Sequence, residues 1–198
     1  MMMKIRKHLQ LIHDMEFHNV TERRLKLEQV HDRILRFMSL EPHANYNFMI
    51  GTDCQVHAGH TTMITGVVIQ RMGKGAWACY RQAVIPRELK SVKEKLSLET
   101  SYSEEIALFF GGERRAEMED IVLPYVYKGS SFEAYIDVDA GTDPAISKTA
   151  AYVEEMVLRV EAMGMKARLK PEAIVASAYA NRHSKKPYRF AANAGIEH

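Results

Sequence analysis

Three acidic residues stand where the neighbouring positions are apolar: Asp53 in MIGTDCQVH, Glu99 in LSLETSYSEEIA and Asp137 in FEAYIDV. Tyr46, Phe48 and Ile50 alternate with Asn47, Met49 and Gly51, the period of a strand whose side chains face opposite ways. Asp53 therefore shares a face with Met49, Gln55 and His57, and Asp137 shares one with Tyr135 and Asp139. On a helix over residues 89–110, Val92, Leu96, Glu99, Ser103, Ile106 and Phe110 follow one line, which sets Glu99 in the middle of a buried stripe. A bare carboxylate in such a place costs several kcal/mol, so each must be paired, hydrogen-bonded, metal-bound or at a solvated strand end. If the two aspartate-bearing strands lie side by side, their acids repel unless a cation bridges them, and Glu99 can supply a third ligand. Hard oxygen donors favour Mg²⁺ or Mn²⁺, and two such ions about 3.5–4 Å apart stabilise the attacking and leaving oxygens of a phosphodiester.

The elements that must position these acids are legible in order. Leu27, Val30, Ile34 and Phe37 mark one face of a helix over residues 21–40, ended by Glu41-Pro42. After the Asp53 strand, the β-branched run 61–70, the turn Met72-Gly73-Lys74-Gly75 and the run 76–85 before Pro86 form an antiparallel meander. The Glu99 helix ends at Gly111-Gly112. A strand over 132–138, a helix over 146–162, a short strand over 165–169 and a final helix over 173–180 complete the chain. The order β-β-β-α-β-α-β-α predicts an α/β fold with a five-stranded mixed sheet, strand order 3-2-1-4-5, helices on both faces and an added N-terminal helix. The division this implies is a helical extension over residues 1–43 and the sheet domain over 44–198.

Composition bounds the function. With 198 residues, 46% hydrophobic and 26% charged, the chain supports one real core. Cys54 and Cys79 are too few for a disulfide framework, which favours a reducing compartment. Apolar runs fall short of the roughly 18 residues of a membrane span and the first residues lack a signal-peptide core, so a cytoplasmic protein without a membrane partner is expected. Residues 1–36 hold eight Lys/Arg against five Asp/Glu and residues 164–198 hold seven against two, so the ends carry +3 and +5. With a total of +2, the middle carries −6. An acidic centre with basic ends suits a cation site beside a surface that accepts phosphates.

The stretches IGTDCQ (50–55), TGVVIQRMGKGAWACYR (65–81), LSLETSYSEEIA (96–107), YIDVD (135–139) and ASAYANRHSKK (176–186) resemble the YkuK family of ribonuclease H-like nucleases. That resemblance implies metal-dependent hydrolysis of phosphodiester bonds in RNA, DNA or a hybrid, with Mg²⁺ or Mn²⁺ as cofactor and nucleic acid as partner. It casts Asp53 as the first-strand acid bridging both metals, Glu99 as the helix acid and Asp137 as the fourth-strand acid. At the fourth ligand position, where relatives place an acid, this chain has Asn181, with His183 as a substitute and Asp139 as an accessory ligand. A neutral amide offers less charge to a second cation. Arg182, Lys185 and Lys186 would clamp the phosphate backbone.

Plainer readings stand beside these. Asp139 and Asp143 suit the turn before a helix, Trp77 and Tyr80 suit packing, and Cys54, His57 and His60 lack a fourth ligand for zinc. Gly51-Thr52-Asp53 also resembles the phosphate loop of actin-like sugar kinases, but Cys54 stands where glycine is wanted next. Gln55 occupies the place of the second acid of the exonuclease branch. The non-enzymatic alternative is a catalytically degenerate ribonuclease H-like module that binds nucleic acid or protein through its basic ends.

Overall fold

The computed structural model describes residues 15–180. Strands β1 (Asn45–His57), β2 (His60–Arg71) and β3 (Gly75–Ile85) form the antiparallel meander. Strands β4 (Ser131–Asp137) and β5 (Lys166–Arg168) complete a five-stranded sheet of order β3-β2-β1-β4-β5, in which β4 runs parallel to β1 and β5 parallel to β4. The topology is the one the alternation of apolar runs and turns predicts. Its functional consequence is that β1 and β4, the two central strands, finish at the same sheet edge.

Strand alternation sorts the sheet into unequal faces. Tyr46, Phe48 and Ile50 of β1, Val67 and Ile69 of β2, and Ala134 and Ile136 of β4 enter a large core with helices α1 (Leu27–Ser39), α2 (Val92–Phe109), α3 (Glu113–Val122) and α4 (Val153–Glu161). Leu27, Val30, Ile34 and Met38 place α1 in that same core. A fully buried side chain of this kind contributes roughly 1.5–3 kcal/mol. The opposite face carries a small cluster, Met49, Val68 and Val175 with Tyr135 and Tyr179, covered among the described residues by the π-helical turn Val175–Ala180. Two glycines make that seat. A Cβ on Gly51 would lie 2.6 Å from the Ala176 nitrogen, and one on its cross-strand neighbour Gly66 would lie 2.8 Å from the Tyr179 ring. Gly51 thus has a packing role, which accounts for the glycine that resembles a phosphate loop.

Two boundaries and one additional helix differ from the sequence expectation. The first helix begins at Leu27 rather than Thr21, because the Asn19 side chain accepts the backbone N–H of Thr21 (2.9 Å) and Glu22 (2.6 Å) and turns the chain so that Phe17 bridges Leu25. The helix expected over 146–162 is confined to α4 and a short 3-10 turn before it, Ala150–Tyr152. Here Asp143, Ser147 and Thr149 compete for the backbone: Asp143 accepts the Ala145 N–H at 2.8 Å and the Thr149 hydroxyl accepts the Gly141 N–H at 3.1 Å. Helix α3 has no counterpart in the expectation, since ERRAEMEDIV buries only Met118 and Val122 and shows no apolar stripe.

Candidate active site

Helix α2 is stitched to β1 at two levels. The Thr52 hydroxyl lies 2.8 Å from the Ser103 hydroxyl and donates to Thr65 at 3.0 Å, and the Cys54 N–H donates to Glu99 Oε1 at 3.1 Å. Two strand residues rise about 6.6 Å and four helix residues about 6 Å, so the spacings 52–54 and 103–99 match when helix and strand run in opposite directions. Glu99 is thereby delivered to the end of β1 as the inward stripe predicts, and it is only 8% exposed.

Electrostatics identify its company. Burial pushes the Glu99 carboxyl up to about 8, with hydrogen bonding from Cys54 working against the rise and the negative charges of Asp139 and Asp53 adding to it. Burial likewise raises the Cys54 thiol, helped by Glu99 and Asp53, so Cys54 remains a neutral thiol at physiological pH. Asp53 is half-buried. The three acids whose fields meet are therefore Asp53, Glu99 and Asp139.

Asp137 has a different environment from the one the sequence led us to expect. Its carboxylate is buried, accepts hydrogen bonds from Arg168 Nε at 2.7 Å and Nη2 at 2.9 Å, and accepts the Val175 N–H at 2.7 Å. Burial raises its pKa while Arg168 and Val175 oppose the rise. The Arg168 guanidinium also lies 4.7 Å from the centre of the Tyr135 ring. Asp137 is thus held by β5 and by the start of the Val175–Ala180 turn.

Register explains the exchange. Ile50 pairs with Ile136 and Gly51 with Asp137. The pairing ends there, and the same register continued two residues beyond the strand would bring Asp53 level with Asp139. The signal was present in the sequence, since Asp53 lies three residues after Ile50 and Asp139 three after Ile136. Asp143 does cap the turn before Ala145, but Asp139 takes part in the acid cluster rather than in that turn. Arg168 and Lys170 went unnoticed because a three-residue strand has too short a pattern to assign faces.

The donor type is the one a hard divalent cation takes, but the described side chains are not gathered into a site for one. Asp53, Glu99 and Asp139 offer carboxylate oxygens only, and Asp139 Oδ1, buried without a directed hydrogen bond, lies 2.9 Å from the Lys170 ammonium. As the side chains stand, no three His, Cys, Asp or Glu among the described residues are grouped closely enough to hold a metal ion, the expected Asp53, Glu99 and Asp137 included. His57 and His60 instead stack across the β1–β2 turn with centroids 4.7 Å apart. Asn181, Arg182, His183, Lys185 and Lys186 lie outside the described residues.

A three-stranded meander continued by two parallel strands, with acids at the shared end of β1 and β4 and a helix carboxylate beside them, defines a protein of the ribonuclease H-like class. The chain belongs to that family, whose description, ribonuclease H-like, matches residues 29–185, and within it to the YkuK family. It is 34% identical over 169 residues to the uncharacterized protein YkuK of Bacillus subtilis (strain 168), which covers 85% of this chain and 96% of that protein. No solved structure matches it. Family membership points to a nuclease-type or nucleic-acid-binding function. No helix among the described residues is long and apolar enough to cross a membrane.

Proposed function

We propose that this protein is a Mg²⁺- or Mn²⁺-dependent nuclease that hydrolyses phosphodiester bonds of RNA, DNA or a hybrid. Asp53, Glu99 and Asp139 are its metal-holding residues, and Asp137 is a structural acid that fixes the last helical turn beside them. The observation that carries this reading is Glu99, a buried carboxyl pushed up to about 8 in the company of two further acids. Such a cluster is unfavourable for folding alone and becomes favourable when a cation is shared. When bound, the ion supplies positive charge to the scissile phosphate and to the attacking water.

The chain's own groups do the rest. The Cys54 N–H orients Glu99, and the burial of Glu99 excludes water from one side of the cluster. Because Glu99 is held largely as the neutral acid near pH 7, a cation held there would have to displace its proton, so its binding would strengthen as pH rises. Arg182, Lys185 and Lys186 follow the Val175–Ala180 turn in the sequence, and this reading gives them the phosphate backbone to hold. Asn181 brings no charge, so the reading favours Mn²⁺ over the geometrically stricter Mg²⁺.

The test is cleavage of labelled RNA, DNA and hybrid by the purified protein with each ion. Activity lost in a folded Asp53→Asn variant supports the nuclease. The second reading, a degenerate module that binds nucleic acid or protein, is favoured by the open spacing of the acids. Absence of cleavage with either ion, together with unfolding of Asp53→Asn, decides for it.

A further inference from the structure

The start of α2 and the loop before it carry Arg87, Lys90, Lys93 and Lys95 against Glu88 and Glu94, a stretch of +2 inside the −6 middle of the chain. The β1–β2 hairpin holds this loop in place. The Glu88 carboxylate accepts the Gly59 N–H at 2.9 Å, and the Thr61 hydroxyl donates to the Arg87 carbonyl at 2.9 Å while accepting the Leu89 N–H at 3.1 Å. Beside it lies an open groove of about 430 Å³ lined by Arg87, Ser91, Lys93, Glu94, Ser97 and Leu98. Lys90 and Lys95 have no ion-pair partner among the described residues. Arg87 pairs with Glu94 at 2.6 Å and Lys93 with Glu155 at 3.0 Å, but both cations are more than half exposed. Exposed pairs of this kind contribute little and weaken with salt, so a competing anion can replace the acid.

Helix geometry joins this surface to the acids. Lys95 precedes Glu99 by four residues and follows Ser91 by four, so it stands about 6 Å along the axis and about 40° around it from each. Its charge reaches the end of β1, where it acts on the Cys54 thiol against the push of Glu99 and Asp53. From these observations we propose that the start of α2, through Arg87, Lys90, Lys93 and Lys95, is a binding surface for the phosphate backbone of nucleic acid, leading from the groove to the acid-bearing end of β1. The inference rests on the reading of nucleic acid as the partner and needs no cation at the acids. A polyanion drawn toward Asp53 and Glu99 meets repulsion there, which a band of positive charge alongside offsets. Ammonium groups on flexible stems hold phosphates without reading bases, so this surface takes nucleic acid of any sequence.

Fluorescence anisotropy of labelled single-stranded RNA, single-stranded DNA and an RNA–DNA hybrid with the full chain, in chelator and across a salt series, tests this without reference to cleavage. Lys90→Gln, Lys93→Gln and Lys95→Gln together should lower the slope of log affinity against log salt by roughly 2–3 and weaken binding on the order of tenfold or more at low salt. Each single change should lower the slope by about 1 or less. Arg at the same three positions should keep the wild-type slope. Lys74→Gln, Lys128→Gln and Lys166→Gln together remove an equal charge from the β2–β3 turn, the end of the 3-10 turn before β4 and the start of β5, and should leave the slope unchanged. Wild-type slope and affinity in the first triple variant would overturn the proposal while leaving nucleic acid as the partner. An equal fall in the second triple variant would also overturn it, as a general charge effect. Failure of the wild type to bind any of the three nucleic acids would remove both the proposal and the nucleic-acid reading beneath it.

Discussion

Replacing Glu99 by Gln separates an acid held for chemistry from one held for folding. The substitution keeps an oxygen that can accept the Cys54 N–H, now at 3.1 Å, and removes only the titration. The Glu99 carboxyl ordinarily titrates near 4.5 and in the folded protein near 8. Below pH 4.5 both folded and unfolded chains carry the proton. Between 4.5 and 8 the unfolded chain gives it up while the folded chain keeps it or holds an unfavourable charge, so stability falls as pH rises. At about 1.36 kcal/mol per pH unit the loss approaches ~5 kcal/mol by pH 8 and then levels off. The Glu99→Gln variant has no such loss. In chelator-treated protein, urea unfolding from pH 4.5 to 8.5 should show the two proteins alike at the acid end, with the variant ahead by several kcal/mol at the alkaline end. Saturating Mn²⁺ should reverse the order at pH 8, because wild type alone offers the full set of charges. Parallel pH profiles for the two chelated proteins would refute the reasoning.

Arg168→Ala leaves the Asp137 carboxylate buried with only the Val175 N–H and should cost about 3 kcal/mol in urea unfolding, part of which Asp137→Asn in the same chain restores. Gly51→Ala drives a Cβ against the Ala176 nitrogen, so the Val175–Ala180 turn must lift; at least about 1–3 kcal/mol should be lost, with faster amide exchange in that turn. Changing Arg182, Lys185 and Lys186 together to Ala should lower the slope of log affinity for nucleic acid against log salt by as much as roughly 2–3, and an unchanged slope would exclude these residues as the phosphate clamp.

Much of this architecture was written into local pattern. Alternating apolar runs with glycine turns at Gly59 and Gly73 specify the meander, because side-chain period and turn conformation are properties of the chain itself. The inward placement of Glu99 was likewise legible, since 3.6-residue periodicity carries Leu96, Glu99, Ser103 and Ile106 to one side. Helix α3 was not, as its helicity depends on packing Met118 and Val122 rather than on a stripe. The partnership of the acids was decided only in three dimensions. Asp137 and Asp139 are two residues apart, so strand alternation read from the sequence assigns them one face and does not distinguish them. Parallel pairing ends at Gly51 and Asp137, and β5 with the residues just after it brings Arg168 to one acid and Lys170 to the other. Register between distant strands is a global property, fixed by how the whole core packs, and it converted one carboxylate into an anchor and left its neighbour facing Glu99.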